Sequence, residues 1–507
     1  MPLRPVRILA LGALAAVLLV AWLTFGLAHE SGAAADAAAA TPIVSASVGG
    51  SPLGQTMPSG FVGLSVEYKA LHQYTGRDPR AVNPVLEQLV KNLAPGQSPV
   101  LRIGGDSADW TWWPARGVIP KGGVSYALTK GWLRTTKALA AELHAKLILD
   151  LNLAANRPSL SAAEAHALVQ GIGKRYISAL EIGNEPDLYG VFAWYRDRLG
   201  HVVHARGQHY DMKSFTADYS RFRAALPQMS LIGPSFSALT WMSGLTKFLK
   251  AEKSVKTVSQ HRYPLHNSTT DPTNDTYPTI ANLLADSSSA GIAQEVAPYV
   301  RTAHSRKLNF RVDEMNSVSG SGHAGVSDTF ASALWVLDTL FNLANVGVQG
   351  VNVHTLPGAA YQPFSFSQTD GKWQAAVTPE YYGMLLFAQA FPSGARLLPV
   401  NAPAGSLKIW ATKGADGKTR VILINKSPTT PVSVQLNLPN STAPATLGRL
   451  TAPSVSSTSG VTLNGQTFGD ETSTGTPTGS EQLQRVTPAG GEYSIDVPAG
   501  SAALLTQ

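Results

Sequence analysis

Between residues 61 and 390 the chain alternates short apolar, β-branched runs with longer stretches whose apolar residues recur at i, i+3 and i+4. The runs fall at 61–67, 100–104, 146–153, 177–183, 230–234, 256–263, 308–313 and 346–354. Their length and composition predict buried strands, and the spacing within 132–143, 162–171 and 329–344 predicts amphipathic helices. Eight strand-then-helix units in about 330 residues predict an α/β fold, a closed (β/α)8 TIM barrel. An open doubly wound sheet would require a glycine-rich phosphate loop after its first strand, and Gly63-Leu64-Ser65-Val66-Glu67 is not one.

Past Pro392 the pattern becomes one of short alternating runs, at 421–425, 432–438 and 493–497, separated by turn residues and lacking helical spacing. It predicts a C-terminal all-β sandwich over 393–507. The run 43–48 is strand-like but stands outside the eight, so residues 41–56 are expected to lend the sandwich a further strand, with 57–392 forming the barrel. The Ser/Thr/Gly-heavy stretch 451–479 is expected to be a long surface loop.

The first 40 residues follow another pattern. Arg4 and Arg7 precede an apolar run over 8–28, then His29, Glu30 and an Ala-rich stretch to Ala40, the arrangement of an export signal. The run is also long enough to span a bilayer, which takes about 20 residues, so a retained N-terminal anchor is the alternative. Either way the remainder is expected outside the cytoplasm, secreted or held at the outer face of the membrane. Composition agrees: charged residues make up 14% of the chain, against about 25% in a typical soluble protein. The net charge of +7 is scattered, so nucleic acid is not an expected partner. The absence of cysteine excludes disulfides, thiolate metal sites, iron–sulfur clusters and cysteine nucleophiles. No His/Asp/Glu group has metal-ligand spacing along the sequence, and no metal or organic cofactor is expected. Oligomeric state leaves no signature.

In a barrel of this kind the reacting groups gather at the C-terminal ends of the strands. The first strand ends in Glu67-Tyr68, the second in Arg102-Ile103-Gly104-Gly105-Asp106-Ser107, and the fourth in Gly183-Asn184-Glu185-Pro186-Asp187. The sixth ends in His261-Arg262-Tyr263-Pro264 and the seventh in Asp313-Glu314-Met315-Asn316. Glutamates at strand ends four and seven point to glycosidic hydrolysis, which needs one carboxylic acid to protonate the leaving oxygen and one carboxylate at the anomeric carbon. The Asn184 amide is suited to a sugar hydroxyl beside the scissile bond, and Pro186, lacking an N–H, ends the strand. If Glu314 is the carboxylate and Glu185 the acid, Arg102 would keep Glu314 ionised, whereas Glu185 would have to stay protonated until needed. Structural alternatives stand beside these roles: Glu185 as a helix cap and Glu314 as a plain ion-pair partner of Arg102, while His261 reads equally as a packed rim residue or a substrate contact. Trp110, Trp112 and Trp113 suit sugar stacking or core packing equally. The segment 189–210 follows Glu185 and carries Arg196, Arg198, Phe192, Trp194 and Tyr195. It reads equally as a solvated loop with some buried aromatics or as the wall of the leaving-group side, meeting an anionic or aromatic aglycone.

With Leu101-Arg102-Ile103-Gly104-Gly105-Asp106-Ser107, Asn184-Glu185-Pro186, His261-Arg262-Tyr263-Pro264, Asp313-Glu314-Met315-Asn316-Ser317 and Pro379-Glu380-Tyr381-Tyr382-Gly383 in this order, the chain resembles glycoside hydrolase family 79. That is the β-glucuronidase and heparanase-like family of the retaining clan with catalytic Glu on strands four and seven. The resemblance covers nearly the whole chain after the N-terminal segment. It implies an exported retaining exo-β-glucuronidase acting on a glucuronide or uronic-acid-containing glycan, with Glu185 as acid/base and Glu314 as nucleophile. Asn184 would bind the 2-hydroxyl, Glu67 the hydroxyls at the far side of the ring, and Tyr263 would lie near the nucleophile. Ser319, Gly320 and Ser321, with Tyr361, would hold the uronate carboxylate; Ser319 stands where a Tyr can occur in relatives. Three alternatives remain open: an endo-acting heparanase-like glucuronidase, a glycosidase for a neutral sugar such as xylose or arabinose, and a catalytically silent carbohydrate-binding protein.

Overall fold

A computed structural model of the 507-residue chain describes residues 41–439 and 442–507. The export segment expected over 1–40 lies outside the described residues. Among those described, no helix is long and apolar enough to cross a membrane.

Eight parallel strands close into a barrel in sequence order: β1 Val62–Glu67, β2 Val100–Gly104, β3 Lys146–Leu151, β4 Ile177–Ile182, β5 Leu231–Phe236, β6 Val255–Arg262, β7 Asn309–Met315 and β8 Gly350–Thr355. Each overlaps one of the eight predicted runs, as expected for strands covered on both faces and therefore apolar along their length. Every residue of β1, β5 and β8 is buried. Closure is made by β8 on β1, with Val351 opposite Val62 and Thr355 opposite Val66. The helix Phe330–Asn345, between β7 and the final strand, is buried nearly all round. It packs between the barrel and elements outside it, through Phe341 against Phe387 and Trp410. A helix apolar on every side has no solvent face to offer.

Past the barrel lie two sheets that share one apolar core built on Val421, Leu423, Val434, Leu436, Ile495 and Leu505. The larger runs in the order Arg396–Leu398, Leu407–Lys413, Thr419–Asn425, Ser501–Thr506, Ala445–Thr451 and Thr462–Leu463. The smaller places Ile43–Val48 between Val400–Asn401 and Val432–Asn437, with Glu492–Val497 at its edge. The N-terminal strand runs parallel to Val432–Asn437, with Ile43 opposite Ser433. The chain thus begins in the sandwich, crosses to the barrel and returns.

The stretch 451–479 is not the plain surface loop its composition suggests. Val455, Val461, Leu463 and Phe468 are buried, and the Phe468 ring packs edge-on to Tyr381 and Tyr382 at 5.4 and 5.3 Å. These anchors are spaced too irregularly among Ser, Thr and Gly to make a periodic pattern. Polar contacts also tie sandwich to barrel. Lys426 is buried, and its Nζ lies 3.0 Å from Asp338 and 3.1 Å from Asp286.

Candidate active site

The C-terminal ends of the barrel strands open into a cavity of about 740 Å3. Glu67, Asn184, Glu185, Tyr263, Glu314, Ser319, Gly320, Ser321 and Tyr361 all line it. Arg102 lies beneath it, fully buried in β2. The ten residues to which the family resemblance and the strand ends gave catalytic, binding or supporting roles therefore converge on one place.

Arg102 organises the floor. Its Nη1 donates to Glu314 Oε2 at 2.6 Å and to Ser65 Oγ at 3.0 Å, while Nε and Nη2 form a two-pronged pair with Glu181 at 2.8 and 2.9 Å. Nη2 also donates to Asn184 Oδ1 at 2.9 Å, which leaves the Asn184 amide nitrogen to donate to Asp106 Oδ1 at 3.1 Å. The fork geometry of a guanidinium makes this possible; an ammonium, with three donors, could not serve these four partners. Glu314 receives a further hydrogen bond from the Tyr263 hydroxyl at 2.9 Å. Burial alone would push its carboxyl up, but His354, His261, Arg102 and the Tyr263 hydrogen bond outweigh that and hold it well below the usual carboxylate range. Since burial keeps His354 itself below the usual imidazole range, Arg102 and His261 are the lasting cations against this carboxylate.

Glu185 sits in the opposite environment. Its backbone is left-handed, at φ 45° and ψ 53°, a conformation costly for a residue with a side chain and common where a site dictates the geometry. Asp187, two residues on, accepts from the backbone N–H groups of Ser237 and Ala238 at 3.2 and 2.7 Å and pins the turn to the end of β5. Burial raises the Glu185 carboxyl, the hydrogen bond and charge of His261 oppose this, and Glu314 and Asp106 add to the rise. The His261 Nδ1 stands 3.0 Å from Glu185 Oε1. Burial disfavours the imidazolium, yet Glu314, Glu185 and Asp313 outweigh it and push His261 up to about 9. One carboxylate oxygen from each of Glu185 and Glu314 lies within 4.8 Å of the other. The two acids thus face one space with their protonation preferences pushed apart, the arrangement that lets one donate a proton while the other attacks.

At the far side Glu67 accepts from the backbone N–H groups of Asp106 and Ser107 at 3.1 and 2.7 Å. Gly105 makes that approach possible: its φ is +72°, and a Cβ there would collide with the Glu67 carboxylate. Burial, then the Asp106 charge, pushes Glu67 up to about 8. His354, at the end of β8, joins the two phenols, its Nδ1 lying 3.1 Å from the Tyr263 hydroxyl and 2.9 Å from that of Tyr361. Ser319 Oγ lies 2.8 Å from His266 Nδ1.

Asp106 and His354 are site residues that the sequence did not single out for it, and His261, which it left between packing and substrate contact, joins them. Asp106 lies inside the 102–107 run, where only the arginine had a stated task. It is open to solvent within the cavity, and burial of its surroundings with the Glu314 and Asp109 charges raises it to about 6. The signal for His354 was its place as the polar end of the eighth run. One expectation needs correction. Arg196 and Arg198 do not line the cavity; both are exposed, and Arg196 donates to Gly200 O across the hairpin Tyr195–Arg196/Val202–Val203. The sequence also shows no metal-ligand spacing, yet donor atoms of Glu181, His261 and Asp313, and of Glu185, His261 and Glu314, come within 4.8 Å of one another. Strand pairing, not local spacing, assembles them. Arg102 and the His261 imidazolium already supply cationic charge to both groups, so the residues present do not make a good host for a further cation.

Residues 409–504 match the glycosyl hydrolase family 79 C-terminal beta domain. The chain is 25% identical to a beta-glucuronidase of Neurospora crassa over 416 residues, 72% of this chain and 71% of that one. It is 23% identical to a beta-glucuronidase of Aspergillus niger over 500 residues, 88% and 90% of the two chains. Among solved structures it is similar to a 4-O-alpha-L-rhamnosyl-beta-D-glucuronidase from Fusarium oxysporum, with a TM-score of 0.69 and 21% identity over 91% of this chain and the whole of that one. A GH51 arabinofuranosidase from Xanthomonas axonopodis pv. citri follows at a TM-score of 0.66 and 15% identity, over 92% and 99%. At these identities the solved structures speak for the shared fold.

Proposed function

We propose that this chain, which belongs to glycoside hydrolase family 79 and is a glycosidase, is a retaining exo-β-glucuronidase with Glu185 as acid/base and Glu314 as nucleophile. The observation that carries the mechanism is the approach of the two carboxylates to within 4.8 Å. Retaining enzymes keep the pair about 5–5.5 Å apart, while inverting ones leave about 6.5–9.5 Å for a water between. In the first step Glu314, ionised against Arg102, attacks the anomeric carbon while Glu185 passes its proton to the departing oxygen. In the second, Glu185, now a carboxylate, takes a proton from water as that water displaces Glu314 and frees the sugar. His261 serves both steps, since an imidazolium 3.0 Å from Glu185 Oε1 steadies the carboxylate form.

Glucuronide as the substrate rests on the named relatives and on the polar end of the cavity, where Ser319, Gly320, Ser321 and Tyr361 offer hydroxyl and backbone groups to a carboxylate. Exo action is supported by the burial of Glu67, His354 and Tyr361, each 5% exposed or less, which leaves little free surface past the far side of the ring. The apolar run over 8–28 makes export part of the same proposal. A panel of nitrophenyl glycosides tests it. The β-glucuronide is expected to exceed the glucoside, xyloside and arabinoside in kcat/KM by at least about a hundredfold, the scale of one lost buried charged contact. A neutral glycoside hydrolysed as well as the glucuronide would overturn the assignment.

A further inference from the structure

The catalytic cavity is larger than one sugar ring needs and chemically divided. Its volume of about 740 Å3 is in the range that encloses a drug-sized ligand, about 300–1,000 Å3. The end around Glu67, Asp106 and His354 is polar. On the side of Glu185, where the leaving group must depart, the lining is Trp110, Leu188, Phe192, Ala193, Trp194 and Ala205. Phe192 is 61% exposed, and its neighbour Val191 67%, an outlay of adjacent apolar surface that nothing among the described residues covers. Meanwhile the arginines of this segment stay outside the cavity, and Arg262, the arginine that does line it, is already paired with Glu295.

This wall is held in place before anything binds. Trp194 Nε1 donates to Asp109 O at 3.0 Å, and Trp110 Nε1 donates to Trp194 O at 3.3 Å. One face of the Trp194 indole lies against Gly122 and Gly123, where a Cβ at either position would come within 2.8 Å of the ring. His204 Nδ1 fixes the Phe192 carbonyl at 2.9 Å, and Arg206 anchors the base of the segment to Asp218 and to the carbonyls of Leu153 and Ala154. A rigid aromatic wall loses little entropy on binding, so apolar contact there converts efficiently into affinity.

From this division, and resting on the glucuronidase reading of the same site, we infer that the leaving group is an apolar or aromatic alcohol seated against Phe192 and Trp194, not an anionic glycan. The segment after β4 is then the specificity device for the aglycone. The test uses thio-linked glucuronides that the enzyme binds without cleaving, with methyl, phenyl and 2-naphthyl aglycones and one charged disaccharide aglycone, measured as competitive inhibitors. The naphthyl compound is expected to bind at least about tenfold tighter than the methyl one, from the apolar area it removes from water. Phe192→Ala should reduce that naphthyl-to-methyl preference at least about threefold, and Trp194→Leu, which keeps an apolar filler, should reduce it as well. Equal binding of all three simple aglycones, or tightest binding of the disaccharide, would overturn the inference and leave the glucuronidase reading standing. Failure of every glucuronide to bind would overturn both.

Discussion

Replacing Glu185 separates its chemical role from its structural one. The side chain accepts from His261 Nδ1 at 3.0 Å, and that histidine is fully buried. Glu185→Gln keeps a carbonyl oxygen for the imidazole and removes only the transferable proton, so its unfolding free energy should stay within about 0.5 kcal/mol of the parent. Glu185→Ala strands a buried donor, at a cost of about 1–3 kcal/mol. Both should lose catalysis in the same selective way. General-acid assistance contributes about 10²–10⁴ in rate, or about 2.7–5.4 kcal/mol, to a leaving group that needs a proton. Thus kcat/KM for phenyl glucuronide should fall by that factor, while the 2,4-dinitrophenyl compound, whose leaving group departs as an anion, should lose less than about tenfold. The pH profile supplies a second reading. Because burial raises the Glu185 carboxyl and the acid form is the active one, parent kcat/KM should decline as pH rises through that raised value. For Glu185→Gln with the activated substrate the decline should vanish. Azide should restore turnover of Glu185→Ala by entering the vacated space and attacking the glycosyl-enzyme. Equal losses on both substrates, with the alkaline decline intact and no rescue, would refute the assignment.

Two further substitutions probe other parts of the account. Tyr263→Phe removes the hydroxyl that donates to Glu314 Oε1 at 2.9 Å, and kcat/KM should fall about ten- to a hundredfold, the worth of a hydrogen bond to a charged group, in steady-state assays. Lys426→Met leaves Asp338, which is 1% exposed, without its cation, and urea denaturation should show a loss of about 3–5 kcal/mol with unchanged activity per folded molecule.

The fold was legible because a barrel strand is covered on both faces and must be apolar almost throughout, so eight short runs could be counted. Their boundaries shifted by a few residues: the eighth run begins at 346 in the pattern, but the strand starts at Gly350, since Val346 and Val348 pack in the turn that precedes it. Strand ends located the two glutamates, Asn184, Tyr263 and Arg102. The same logic did not separate Asp106 from its neighbours or weigh His354, because whether a polar strand-end residue faces the cavity depends on register and on the partner it meets. His261 shows the limit well. In the sequence it reads equally as packing or function, and the structure makes it both, buried among Glu181 and Asp313 yet in contact with Glu185. The arginines of 189–210 misled because charge composition says nothing of which side of a hairpin a side chain occupies.

The most direct test is to trap the intermediate. Incubation with 2-deoxy-2-fluoro-β-glucuronyl fluoride, which forms a glycosyl-enzyme readily and releases it slowly, followed by peptide mass mapping, should find one fluoroglucuronyl group per chain, esterified to Glu314. An unlabelled enzyme that turns the reagent over to the α-configured sugar, or a label on any other side chain, would contradict the two-glutamate retaining mechanism.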